Sequence, residues 1–264
     1  MSKYGICHLA QAPLRDTISH SSEMISQVLF GDIVEIKDKY QNWHKVETVF
    51  DGYEGWLDEK QFIPLEQEEF EAMKAEKNPM FSTGFVSEAE RETDHAVFRI
   101  GMGCRLPLFH NGAFKLGKLD YSYKNPVWEI PAEAEQKRKA VMERALLLMN
   151  TPYLWGGKSS AGLDCSGFTQ LIFRTCGIHL LRNASQQATQ GTLINLLAEA
   201  QTGDLLFFDN ENEQIVHVGI YNGNGHVLHS SGCVRIDPVD HEGIYRQDLG
   251  NYSHHLRLIR RVIS

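Results

Sequence analysis

The stretch Gly162-Leu163-Asp164-Cys165-Ser166-Gly167-Phe168 leaves this chain few choices. Glycines bracket an Asp-Cys-Ser triplet, and Phe168, Leu171 and Ile172 then recur at helical spacing up to Cys176-Gly177. The pattern predicts a loop that delivers Cys165 to the first turn of a helix running to about Thr175, with Asp164 at the capping position. Unpaired N–H groups and the helix dipole at such a place favour a thiolate over a thiol. A cysteine so placed needs a proton acceptor, and histidine is the usual one. Val216-His217-Val218-Gly219-Ile220 carries an imidazole inside an apolar strand. A second, His229, follows twelve residues later, the reach of a hairpin to the next strand. By alternation Val227 and His229 share one face and His226 and Leu228 the other, so only one of His226 and His229 faces His217.

These residues read as a cysteine peptidase. Cys165 is the nucleophile, His217 the base that takes its proton and returns it to the leaving amine, and His229 the group that orients His217. Cysteine and histidine on separate elements that meet only in the fold is the arrangement this chemistry uses. The plainer reading of Cys165 is a buried structural thiol, and Cys176, at a helix end, is read that way. His8, His20, His95, His110, His241, His254 and His255 stand in surface-like settings and are read as solvated. A zinc site from His217, His229, Asp204 and Asp209 is the alternative of a different class. The sequence holds no H-E-x-x-H and no tight ligand pair, so no metal and no cofactor are expected.

The rest of the chain predicts an α+β protein in several parts. Residues 1–65 contain short alternating runs punctuated by Gly and Asp, the texture of a small antiparallel barrel, and the pair Gly55-Trp56 resembles the last strands of bacterial SH3-like domains. Residues 66–78 are a charged run that reads as a linker or short helix. Residues 79–131 repeat the strand texture and are expected to form a second barrel. Over 132–149 the period becomes helical, with Val141, Ala145, Leu148 and Met149 on one face. From Gly203 onward the chain reads as strands, so residues 132–264 form an α+β domain. A net charge of −8 speaks against nucleic acid and against a polybasic membrane surface, and no run reaches transmembrane length. Five widely spaced cysteines without a C-x-x-C suit free thiols in a reducing compartment. With no apolar core near Met1 long enough for a signal peptide, a cytoplasmic location and a monomer are expected.

Five motifs in order carry a family resemblance: Tyr153-Leu-Trp-Gly-Gly, Asp164-Cys165-Ser166-Gly167-Phe168, Arg182-Asn-Ala-Ser-Gln-Gln, Gly203-Asp204-Leu-Leu-Phe-Phe and His217-Val-Gly-Ile-Tyr. Together they resemble the NlpC/p60 cysteine peptidases, which cleave peptidoglycan stem peptides. The resemblance implies a papain-like fold in permuted order, with Cys165, His217 and His229 in the roles above and no metal. With SH3-like domains in front, it extends to the γ-D-glutamyl-L-diamino-acid endopeptidases that recycle murein peptides bearing a free N-terminal L-Ala. It implies that Asp164 and Glu23 hold that amine, that Tyr53 is the aromatic residue of the site, and that Tyr153, Ser166 and Ser185 line the cleft. Asn183 departs from the pattern, standing where an acid is often found. A murein peptide is the implied substrate. The alternatives of the same sequence are an exported endopeptidase acting on intact wall, a non-enzymatic wall-binding module, and an amidase or acyltransferase on the same scaffold.

Overall fold

The alternating runs at the front of the chain pair into one antiparallel sheet. In the computed structural model, which describes residues 3–264, its strand order is Met24–Leu29, Gln11–Arg15, Glu54–Asp58, Trp43–Thr48, Ile33–Tyr40, Tyr4–Cys7 and Phe62–Leu65. Alternate side chains of these strands (Cys7, Ala12, Leu14, Val28, Val34, Val46, Leu57 and Phe62) meet in a single core. That is what a period of two produces when one face is covered. The last strand is too short to read from the sequence. It is placed by the capped turn Glu59–Gln61 and pairs with the first strand, Tyr4 opposite Leu65.

The charged run contains a helix, Gln67–Lys74. Its glutamates face outward, while Phe70 and Met73 are buried and the Phe70 ring stacks on Tyr4 at 3.9 Å. Two small antiparallel sheets follow. One orders its strands Val97–Ile100, Ser87–Arg91, Leu119–Tyr123, Ala113–Leu116, and the other Arg105–Leu106, Met80–Ser82, Val127–Trp128. Phe30 of the front sheet stands edge-on to Phe114 and Tyr121 of this region. All of this belongs to the first of two units, the chain up to Ile130 together with Trp155–Ser160.

The second unit is Pro131–Leu154 with Ala161–Ser264. It opens with the helix Ala134–Leu146, whose start is closed by reciprocal bonds between Glu133 and Gln136. Val141, Ala145 and, just past the helix, Leu148 are buried, as the helical period demands. The helix Cys165–Thr175 is buried along its whole length. It ends at Gly177, whose positive φ of 74° lets the Gly177 and Ile178 N–H groups bond back to Arg174 and Phe173, a Schellman closure. Against this helix packs an antiparallel sheet ordered Thr192–Ile194, Asn251–Arg261, Leu205–Asp209, Ile215–Tyr221, His226–Ser231, Cys233–Pro238, with Gly243–Arg246 also on the long last strand. One of its faces closes over Leu206, Phe208, Tyr221, Val227, Val239, Ile244 and Ile259. Among the described residues no helix is long and apolar enough to cross a membrane.

One glycine shapes the sheet where the two histidines lie. Gly219 is opposite His229, and a Cβ there would come within 2.9 Å of the Leu228 carbonyl and 3.0 Å of the His229 Cβ, and would collide with Val227. Gly219→Ala is therefore expected to lower stability by about 1–3 kcal/mol through overpacking. Chemical denaturation of the two proteins side by side measures the difference.

Candidate active site

Asp164 starts the cysteine helix. With φ −83° and ψ 177° it sits outside the helix, and its Oδ1 accepts the Gly167 N–H at 2.6 Å. The capped turn leaves Cys165 as the first helical residue. Its sulfur takes backbone hydrogen bonds from Ser166 and from Val218, the neighbour of His217 on the facing strand. Chain order hides this meeting of helix and strand; packing creates it.

Arg182 holds the cap in place. Its guanidinium is 1% exposed and grips Asp164 with two parallel bonds, Nη1 to Oδ1 at 3.0 Å and Nη2 to Oδ2 at 2.5 Å. The same Nη1 donates to the Ser166 hydroxyl at 3.0 Å, and Ser166 donates to Asp164 at 3.2 Å. Gln187 adds a further tie, donating to the Ser166 and Leu181 carbonyls at 3.0 and 2.9 Å while accepting from Thr169. The Arg182-Asn-Ala-Ser-Gln-Gln segment is thus a brace for the cysteine turn. Both Asp164 oxygens are engaged within the protein and its charge is matched by Arg182.

The two histidines lie on adjacent strands. Gly219 faces His229 directly, so His217, two residues along on the same face, is its diagonal neighbour. His217 Nε2 and His229 Nδ1 are 2.8 Å apart, and His229 Nε2 lies 2.9 Å from Asp237 Oδ2. With Nε2 committed to His229, Nδ1 is the His217 ring nitrogen left for another partner. His226, on the opposite face, bonds its own turn at the Asn224 carbonyl.

Burial dominates the electrostatics. The Cys165 thiol is pushed up to about 12, chiefly by burial and then by the Asp164 charge, against the pull of the Val218 and Ser166 N–H groups and of Arg182. The expectation of a resting thiolate is corrected here: the helix start is desolvated, and desolvation outweighs the dipole. Burial also holds His217 well below the usual imidazole range, helped by His229 and His254. Burial thus favours the neutral form of both the Cys165 thiol and the His217 imidazole.

His254 corrects a second expectation. It is half-buried rather than solvated, and its ring stacks on His217 at 4.2 Å and 26°. Burial, with His229 and Arg246 nearby, pulls it down to about 4. A register shift places it there: Phe207 pairs with Leu258 but Phe208 pairs with Leu256, so one extra residue turns His254 and not His255 toward the face of Phe208 and His217. Straight alternation carries no sign of that bulge.

The remaining sequence candidates fall as follows. Tyr153 is half-buried, pairs with Leu163, and has its phenol pushed up to about 12 by burial and by the charges of Cys165 and Asp164. Ser185 is exposed on the short helix Ala184–Gln187, which Asn183 begins. Glu23 and Tyr53 belong to the first unit. Glu23 accepts from the Trp155 indole at 2.6 Å, and Tyr53 packs against the core of the front sheet. Asp204 is engaged by Arg261 at 2.7 and 3.0 Å. Among the described residues no group of three or more His, Cys, Asp or Glu is arranged to hold a metal ion.

Two outcomes follow from this geometry. Arg182→Ala leaves the Asp164 charge buried without its partner and is expected to cost about 3–5 kcal/mol, measured by equilibrium denaturation. The second concerns pH. An unfolded histidine takes its proton near 6.5 whereas folded His217 and His254 resist it, so the folded state binds fewer protons below that pH. Stability is full above about 6.5 and falls as pH drops, His254 contributing down to its folded value of about 4. Thermal melts from pH 7 to 4 should show this slope, and His254→Phe should flatten it.

Comparison with known proteins agrees with the geometry. The NlpC/P60 family profile matches residues 150–252, and the profile described as the bacterial dipeptidyl-peptidase Sh3 domain matches residues 14–62. A gamma-D-glutamyl-L-lysine dipeptidyl-peptidase of Bacillus cereus is 26% identical over 88% of this chain and 76% of its own. The crystal structure of an NlpC/P60 family protein from Bacillus cereus superposes with a TM-score of 0.81 over 99% of this chain and 100% of that one, and at 22% identity this shows a shared fold. A gamma-D-glutamyl-L-lysine dipeptidyl-peptidase of Bacillus subtilis is 31% identical over 78% of this chain and 71% of its own. By that likeness, and with Cys165, His217 and His229 gathered at one buried site, the chain belongs to the NlpC/P60 family of peptidases.

Proposed function

We propose that this peptidase hydrolyses the γ-D-Glu–L-diamino-acid bond of murein stem peptides that carry a free N-terminal L-Ala, releasing the dipeptide in cell-wall peptide recycling in the cytoplasm. The observation that carries the reaction type is the Cys165 sulfur lodged against the Val218 N–H beside the His217–His229 pair. The names of the two Bacillus relatives and the Sh3 match over residues 14–62 support the bond and the dipeptide product. Five free thiols suit a reducing compartment. The finer architecture belongs with this reading. It comprises a second SH3-like barrel over residues 79–131, and a papain-like order in which the cysteine helix precedes the histidine strands.

The chemistry follows from the site. His217 Nδ1 accepts the thiol proton as sulfur attacks the γ-glutamyl carbonyl, and the imidazolium protonates the departing amine of the diamino acid. Water then cleaves the thioester with His217 again as base, which regenerates the thiol. Keeping thiol and imidazole neutral until substrate enters avoids a buried charge pair in the resting enzyme.

L-Ala-γ-D-Glu-L-Lys and its diaminopimelate counterpart, each free and N-acetylated, test the proposal. The free peptides should yield L-Ala-D-Glu, and acetylation should lower kcat/KM by about 100-fold or more, the penalty for leaving polar groups of the site unpaired. Equal turnover of both forms would remove the requirement for a free amine. Cys165→Ala should lose on the order of 10⁴-fold or more in kcat. The role read for Glu23 in amine recognition stands with this proposal, and Glu23→Gln should raise KM for the free peptide alone.

A further inference from the structure

Asp237 lies outside every motif that marks the site in the sequence. It sits on the strand Cys233–Pro238, opposite Val227, and so is the diagonal neighbour of His229 on the same face. It is 4% exposed, His229 is fully buried, and Asp237 Oδ2 lies 2.9 Å from His229 Nε2. Arg235 locks the carboxylate, its Nε 2.6 Å from Oδ2 and its Nη2 2.7 Å from Oδ1. Arg235 in turn reaches Asp248, which Arg246 also holds. Burial alone would raise the Asp237 carboxyl, but the bonds from His229 and Arg235 outweigh it and keep it below the usual range.

A chain of proton assignments follows. An ionised carboxylate only accepts, so His229 Nε2 must carry hydrogen. Burial keeps His229 neutral despite Asp237, and a neutral imidazole has one N–H, so His229 Nδ1 is bare. His217 Nε2, 2.8 Å from that bare nitrogen, must then be the donor. That leaves His217 Nδ1 bare, and Nδ1 is the nitrogen available to the thiol. Reversing the first assignment reverses all of them and puts a hydrogen on Nδ1, where it cannot serve as base.

We propose that Asp237 is the fourth member of the Cys165–His217–His229 array, a positioning residue that sets the tautomers of both histidines and thereby the base nitrogen of His217. The proposal rests on the peptidase reading for its consequence in catalysis, but the tautomers themselves do not depend on any substrate. His229 alone is an ambiguous partner, since it can donate or accept through Nδ1. Asp237 removes the ambiguity from two residues away.

Nitrogen-15 NMR of histidine-labelled full-length protein near pH 7.5 reads the tautomers directly. Both His217 and His229 should show protonated Nε2 and bare Nδ1. A hydrogen on Nδ1 of either ring in the wild type overturns the proposal. In Asp237→Asn the amide can donate to His229, so both rings should shift toward the Nδ1-H form. The kcat should fall by about 10²–10⁴-fold, as for an orienting acid in a hydrolase triad, with KM within about threefold. Alkylation of Cys165 by iodoacetamide, followed by mass spectrometry, should slow at least about tenfold. Because that readout needs no substrate, a wrong murein assignment leaves it intact. Asp237→Glu should restore part of the rate. Unchanged tautomers and unchanged alkylation in a folded Asp237→Asn overturn the proposal, and if that variant does not fold, the wild-type spectrum decides.

Discussion

A buried ion pair carries the catalytic turn. Asp164 is asked to cap a helix that is buried on every side, which takes a carboxylate out of water at a cost of several kcal/mol. Arg182 makes this tolerable by matching the charge with two parallel hydrogen bonds, and it extends the grip to Ser166. The position of Cys165 is then a consequence. The first helical residue follows the cap, and its sulfur meets Val218 because helix and strand pack together. Ser166 and Asp164, read in the sequence as residues facing a substrate, are first of all bonded to Arg182 and to one another.

The same burial sets the charge state of the site. A thiol, two imidazoles and a third ring stacked on one of them sit in surroundings that penalise every ion except those with dedicated partners. The partnered ions are Asp164 with Arg182 and Asp237 with Arg235 and His229. Between these two fixed charges burial favours the neutral forms of Cys165, His217 and His229. The thiolate anticipated from the helix dipole gives way because the dipole contributes a fraction of a charge at the terminus, whereas desolvation acts on a whole one.

Much of this was legible in the residues, for identifiable reasons. Period-two alternation located the strands of the front sheet, and the helical period ended at the Gly177 closure. Cys165, His217 and His229 stood out because each is a reactive group set in an apolar run. Arg182 was visible as part of a motif but not as the partner of Asp164, since nothing in an eighteen-residue separation says that two side chains meet. His254 was misjudged because a one-residue bulge inverts the facing of the last strand. Asp237 was passed over because an aspartate near a strand end looks like turn chemistry until the strand is seen beside His229.

By itself, then, the sequence determined the kinds of element, the reactive residues set in apolar runs, and the family to which they point. These are properties of local period and of residue chemistry, and both are written in neighbouring positions. Only the tertiary structure decided which cation braces the Asp164 cap, which histidine stacks on His217, which acid reaches His229, and that the Cys165 thiol is buried. Each of those depends on strand register and on exclusion of water, which arise when distant segments pack.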